Sequence, residues 1–199
     1  MKYPDFFKEI PVIKLYDPLS DILGAIEDGI IEINYSDVVK FAGHSCPTVA
    51  GAYLMCFKAN DYFSNESKLL ERGNIKIIAK GSKENGTNGV VANVAAYIFG
   101  VNDESGFGGI GGRMSRKNKL FYDDNLDCDI EFEYNGDSIK MIYNPSVVKQ
   151  NKDMLPLLQK CIGGTATEDE QSKFKKIWQN RVKDILLNKH KGLIITKKQ

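Results

Sequence analysis

The chain has 199 residues and lacks an excess of either charge: 27 lysines and arginines face 26 aspartates and glutamates, a formal net charge of +1. That balance removes the electrostatic case for nucleic-acid binding. The four cysteines, Cys46, Cys56, Cys128 and Cys161, are widely spaced and form no CxxC pair. A zinc ribbon and a dense secreted disulfide framework are both disfavoured by that spacing. No stretch approaches the roughly 20 apolar residues needed to span a bilayer, so no membrane association is expected. Met1-Lys2-Tyr3-Pro4-Asp5 runs into mixed sequence without the apolar core of a secretory leader, and a reducing cytoplasm is the expected location. There is no internal repeat and no low-complexity linker. Arginine is also scarce, with only Arg72, Arg113, Arg116 and Arg181. What remains is ordinary globular composition, 42% apolar and 27% charged, enough for one substantial domain over residues 1–199.

Periodicity then divides the chain. Pro18 to Gly24 is expected to hold a short helix, Ile30 to Tyr35 a strand, and Tyr35 to Phe41 a second short helix. From Pro47 to about Phe63, Val49, Tyr53, Leu54 and Phe57 fall on one helical face beside Ala50, Gly51 and Ala52. Small side chains permit close approach, so this helix is expected to be central and largely buried. Asn74 to Ala79 reads as a strand, and Asn88 or Gly89 opens a second buried helix. Strands are expected at Leu120–Tyr122, Asp129–Tyr134 and Ser138–Tyr143, the last two joined by the hairpin signal Asn135-Gly136. A helix is expected around Lys149–Cys161. Thr167-Glu168-Asp169-Glu170 then forms a capping box for a long amphipathic helix whose apolar stripe includes Trp178. Gly192 to Thr196 is expected to add an edge strand, with Lys189, Lys191, Lys197 and Lys198 as a solvated tail and His190 exposed within it. Strands clustered after two central helices indicate an α+β fold, a mixed or antiparallel sheet packed against those helices.

Chemistry concentrates in Gly43-His44-Ser45-Cys46-Pro47-Thr48. Pro47 pushes Cys46 out of the α region and suits the first position of the helix that follows. Cys46 then becomes the N-cap, with His44 just upstream. A sulfur there faces free backbone amides and the positive end of the helix dipole, an environment suited to a thiolate. It is placed to act as a soft metal ligand beside an imidazole or as a nucleophile. The alternative is a buried cysteine capping a helix. Cys56 cannot join it, because ten helical residues put it roughly 15 Å along the axis.

The second unusual stretch has six glycines in thirteen residues, Gly100 to Gly112. Glycines at Gly108, Gly109, Gly111 and Gly112 would let backbone amides approach an anion, with Arg113 pairing to a carboxylate or phosphate. Asp103 and Glu104 on the same loop are candidate oxygen ligands or acid/base groups. The alternative is a tight corner with Phe107 and Ile110 plugging the core. The loop lacks the Lys-Ser/Thr ending of a P-loop.

Gly43-His44-Ser45-Cys46-Pro47, followed by the helix Thr48 to Met55, resembles the core signature of the FmdE family of formylmethanofuran dehydrogenase components, as does the helix running to a glycine-rich turn over Asn88 to Gly112. The resemblance covers roughly residues 15 to 145, with 146–199 a helical extension. It implies an α+β core and a metal-associated site built on His44 and Cys46. Val90-Val91-Ala92-Asn93 stands where members carry a further cysteine and an acid, and the C-terminal zinc finger of some members has no counterpart. The expected protein therefore binds zinc or another divalent transition metal through His44 and Cys46, with the glycine loop and Arg113 closing over a small anionic ligand. If it is an enzyme, the metal would activate a water or act as a Lewis acid, with Asp103 or Glu104 carrying the proton. Metal-free catalysis with Cys46 as nucleophile and His44 as base is the alternative. A non-enzymatic accessory domain is the third reading, and a homodimer is compatible with each.

Overall fold

A computed structural model describes residues 2–65 and 67–198; Met1, Glu66, Gln199 and the side chains of Lys197 and Lys198 lie outside the described residues. A 3-10 turn at Asp5–Glu9 buries Phe6 and Phe7 and leads into strand β1, Ile13–Tyr16. Helix α1, Pro18–Ile22, is capped by Asp17, and strand β2, Ile30–Ile33, returns antiparallel to β1. Helix α2, Tyr35–Ala42, ends at Gly43, and helix α3, Pro47–Phe63, follows after His44, Ser45 and Cys46. Strand β3, Lys76–Lys80, helix α4, Asn88–Phe99, and strand β4, Leu120–Asp123, form one βαβ unit with β3 and β4 parallel. Strands β5, Ile130–Tyr134, and β6, Asp137–Tyr143, make the hairpin. Helices α5, Met154–Ile162, and α6, Glu168–Leu187, precede the last strand, β7, Ile194–Lys198.

The fold is α+β, with a five-stranded mixed sheet in the order β4-β3-β5-β6-β7 and the separate β1–β2 ribbon. The parallel β3–β4 pair accounts for the mixed character: the twelve-residue helix α4 lies between the two strands, and such a crossover returns a strand parallel to its predecessor. The hairpin turn is of the kind its dipeptide demands. Asn135 and Gly136 both take positive φ, at 52° and 85°, and Tyr134 pairs directly with Asp137.

Helix α3 is central. Val49, Ala50, Gly51, Ala52, Tyr53, Met55, Cys56 and Ala59 are all buried, more than one face of an amphipathic surface helix would bury. It packs against α4, α6 and β6. The Tyr53 hydroxyl donates to the Pro11 carbonyl at 2.7 Å and lies 3.1 Å from the Ile33 carbonyl, so the ribbon is tied to this helix through a buried polar atom. One cluster of buried side chains runs from Phe6 to Leu193. Helix α5 starts at Met154 rather than near Lys149, after an Asn151 side chain accepts the Asp153 amide in a turn.

The capping box of α6 forms as its sequence dictates. Thr167 Oγ1 accepts from the Glu170 amide at 3.2 Å, and a Glu170 carboxylate oxygen accepts from the Thr167 amide at 3.0 Å. Thr167→Ala is expected to cost about 1 kcal/mol in urea unfolding, the ordinary worth of such a cap. A loss indistinguishable from zero would show that the α6 N-terminus does not rely on it. Lys189 and Lys191 are exposed, but His190 is only half-exposed because its Nε2 lies 2.8 Å from Asp184 on α6. Among the described residues no helix is long and apolar enough to cross a membrane.

Candidate functional site

Gly43 takes a left-handed φ of 76°, and its amide donates to the Val39 carbonyl at 2.9 Å, which closes α2. The chain then turns through His44 and Ser45 into Cys46, which is extended, with φ −139° and ψ 169°. Cys46 Sγ accepts from the Val49 amide at 3.5 Å, and Pro47 occupies the first helical position. The sulfur thus caps a 17-residue helix while the residue stays half-buried. His44 is exposed, and its Nδ1 lies 2.9 Å from the Ala42 carbonyl. A carbonyl only accepts, so Nδ1 carries the hydrogen. In the neutral ring Nε2 then keeps its lone pair, the state a metal ligand or a general base requires.

Side chains distant in sequence hold this turn. Tyr35 Oη lies 3.0 Å from Ser45 Oγ. Trp178 Nε1 and Gln179 Nε2, both on α6, donate to the Ser45 carbonyl at 2.9 and 3.2 Å. Tyr143 Oη donates to the Pro47 carbonyl at 2.7 Å. Burial pushes the Tyr35 and Tyr143 phenols well above the ordinary tyrosine range, and a charge on the Cys46 sulfur pushes the same way. Both stay neutral hydrogen-bonding groups. Trp178, expected on the apolar stripe, is half-buried and packs on the core while its indole N–H serves the turn. Nothing in one sequence pairs Tyr35, Tyr143 or Gln179 with residue 45 or 47, because each contact arrives through tertiary packing.

The other cysteines differ. Burial holds the Cys56 thiol far above its usual value and pushes Cys128 up to about 11. Both are packed as thiols, and all four cysteines are free of disulfides.

The glycine-rich loop stands apart from the turn. Among the described residues no hydrogen bond or ion pair joins residues 100–113 to residues 43–48. The Asn102 amide donates to the Arg116 carbonyl at 2.7 Å at the base of the loop, and Ile110 and Arg113 bond each other's backbones at 2.9 and 3.0 Å near its tip. Gly109 is required there. Its φ is 95°, and a Cβ would lie 2.3 Å from the Arg113 carbonyl oxygen. Gly108, Gly111, Gly112 and Arg113 are exposed, and so are Phe107 and Ile110, which do not plug the core. Asp103 accepts from the Ser105 hydroxyl at 2.7 Å and amide at 3.1 Å. Those bonds hold its carboxyl below the usual range. Glu104 is exposed.

Among the described residues no three of His, Cys, Asp and Glu gather as a metal would need, so Asp103 and Glu104 do not join His44 and Cys46 in one ligand set. The two donors present have the softness zinc prefers, and the tautomer of His44 suits ligation. No family model and no curated protein sequence matches the chain.

Proposed function

We propose that this protein binds a divalent transition metal, zinc foremost, at an open site in which His44 Nε2 and Cys46 Sγ are the protein donors. The observation that carries the reading is the His44 Nδ1–Ala42 carbonyl bond, which leaves Nε2 free two residues from a helix-capping sulfur. Remaining coordination positions fall to water, a small anionic ligand or a second copy of the chain. When bound, the metal would polarise an oxygen ligand. The chain's own residues do the positioning: the Val49 amide donates to the Cys46 sulfur, and Tyr143, Trp178 and Gln179 fix the turn's carbonyls. A reducing cytoplasm would keep all four cysteines free of disulfides.

Zinc titration of the full chain tests this. Saturable binding is expected, weakened more than tenfold in both Cys46→Ser and His44→Ala. Equal zinc uptake by the native chain and both variants would overturn the reading.

Metal-free thiolate chemistry is the second reading, supported by the same free Nε2 acting as base. It expects rapid, stoichiometric alkylation of Cys46 in chelator-treated protein, slowed by His44→Ala. An unreactive Cys46 would count against it.

A further inference from the structure

A cleft of about 560 Å³ opens between α1, the end of α2 and the C-terminal half of α4. His44, Cys46 and Arg113 are not among the residues lining it. Its floor is the cluster Asp17–Arg72–Arg116. Asp17 accepts from Arg116 Nη2 at 2.6 Å and from Arg72 Nη1 at 3.1 Å, with side-chain exposures of 4% for Asp17, 9% for Arg116 and 20% for Arg72. Two guanidinium groups therefore share one carboxylate. The Ile98, Tyr97 and Gly100 carbonyls take further bonds from Arg72 Nε, Arg72 Nη2 and Arg116 Nη1. That helix end offsets about half a unit of charge, so positive charge remains. These five bonds occupy five of the ten N–H donors that two guanidiniums carry. The backbone is cut back to seat them: a Cβ on Gly73 would lie 2.1 Å from Arg116 Nη1, and one on Gly100 would lie 2.7 Å from Arg72 Cζ.

The wall is of another kind. Phe41, 50% exposed, stacks on Tyr97 with ring centroids 4.7 Å apart and planes 11° from parallel. Leu23 stands exposed beside it, and Asn93 and Asn102 add neutral polar groups. We propose that this cleft binds a small organic monocarboxylate with a flat, apolar body, its carboxylate on Arg72 and Arg116 and its body against Phe41 and Tyr97. A monoanion is favoured over a phosphate dianion because the Asp17 carboxylate lines the same cleft and repels a second negative charge.

Benzoate is the probe, with benzamide and inorganic phosphate as controls, titrated into the chelator-treated full chain and followed by amide and aromatic NMR shifts. Saturable benzoate binding is expected with Kd on the order of 1 mM, centred on Phe41 and Tyr97. Benzamide and phosphate should each bind at least tenfold more weakly. Asn93→Asp, an exposed change that spares the floor, should weaken benzoate at least fivefold, and Phe41→Ala about threefold or more. Equal binding of benzamide and benzoate would overturn the charge assignment, and equal binding of phosphate would overturn the choice of ligand class. Benzoate shifts that are non-saturating or unmoved by Asn93→Asp would overturn the site. The outcome is independent of zinc binding at His44 and Cys46.

Discussion

Asp17→Ala is expected to destabilise the fold by about 3–5 kcal/mol, the cost of removing one partner from a buried ionic cluster. The carboxylate ties helix α1 to two loop segments at once. Its Oδ1 accepts from the Leu19 and Ser20 amides at 3.1 and 3.2 Å, capping α1, and from Arg116; its Oδ2 accepts from Arg72. Alanine would leave two nearly buried guanidinium groups facing each other without a counter-ion. Asp17→Asn keeps an acceptor and loses the charge, and about 2 kcal/mol is expected for it. Urea unfolding measures both. A loss under about 1 kcal/mol for alanine would place the cluster with exposed ion pairs instead.

The same group gives an acid signature. Burial works against the Asp17 charge, but the Ser20 amide and the two guanidiniums outweigh it and hold the carboxyl below its ordinary value. The native state therefore binds this proton more weakly than the unfolded chain. Its stabilisation is complete above the unfolded carboxylate pKa of about 3.9 and drains away as pH falls through the lower native value. The stability gap between the native chain and Asp17→Asn should be flat above about pH 5 and narrow below about pH 4. Other carboxylates are common to both proteins and cancel in the difference. A gap that stays constant down to about pH 2.5 would refute the assignment.

Local signals carry most of the elements. Cys46-Pro47 opens α3, Thr167 and Glu170 cap α6, and Asn135-Gly136 turns the hairpin, each because a few adjacent residues decide the backbone there. The His44–Pro47 turn is legible for the same reason. The glycine-rich loop is not, because glycine spacing reports backbone freedom and says nothing of direction. Its glycines serve a self-bonded excursion whose Arg113 faces solvent, while the arginine that reaches a cleft is Arg116, three residues on. Asp17 lies 55 residues from Arg72 and 99 from Arg116 along the chain. No local pattern brings them together; the β3–α4–β4 crossover and the ribbon do.

Gly51→Ala carries the other large expected effect, and its sign opposes the ordinary rule. Alanine inside a helix normally gains about 1 kcal/mol over glycine. Here the new Cβ would lie 2.5 Å from Tyr143 Cε1 and Cζ. The Tyr143 ring would have to leave α3, giving up its bond to the Pro47 carbonyl and its packing on the helix. That loss is worth about 2–3 kcal/mol, so a net destabilisation of about 1–2 kcal/mol is expected. The decisive measurement is the same substitution in a Tyr143→Ala background, where nothing opposes the methyl group and the ordinary helix gain should return. The coupling between the two sites would then be about 2–3 kcal/mol. Equal effects in the two backgrounds would mean that the ring does not rest on Gly51. Tyr143 also clamps the first residue of the helix that presents Cys46. Displacing the ring should therefore loosen the His44–Pro47 turn, and Cys46 should be alkylated faster in Gly51→Ala than in the native chain while Cys56 stays protected.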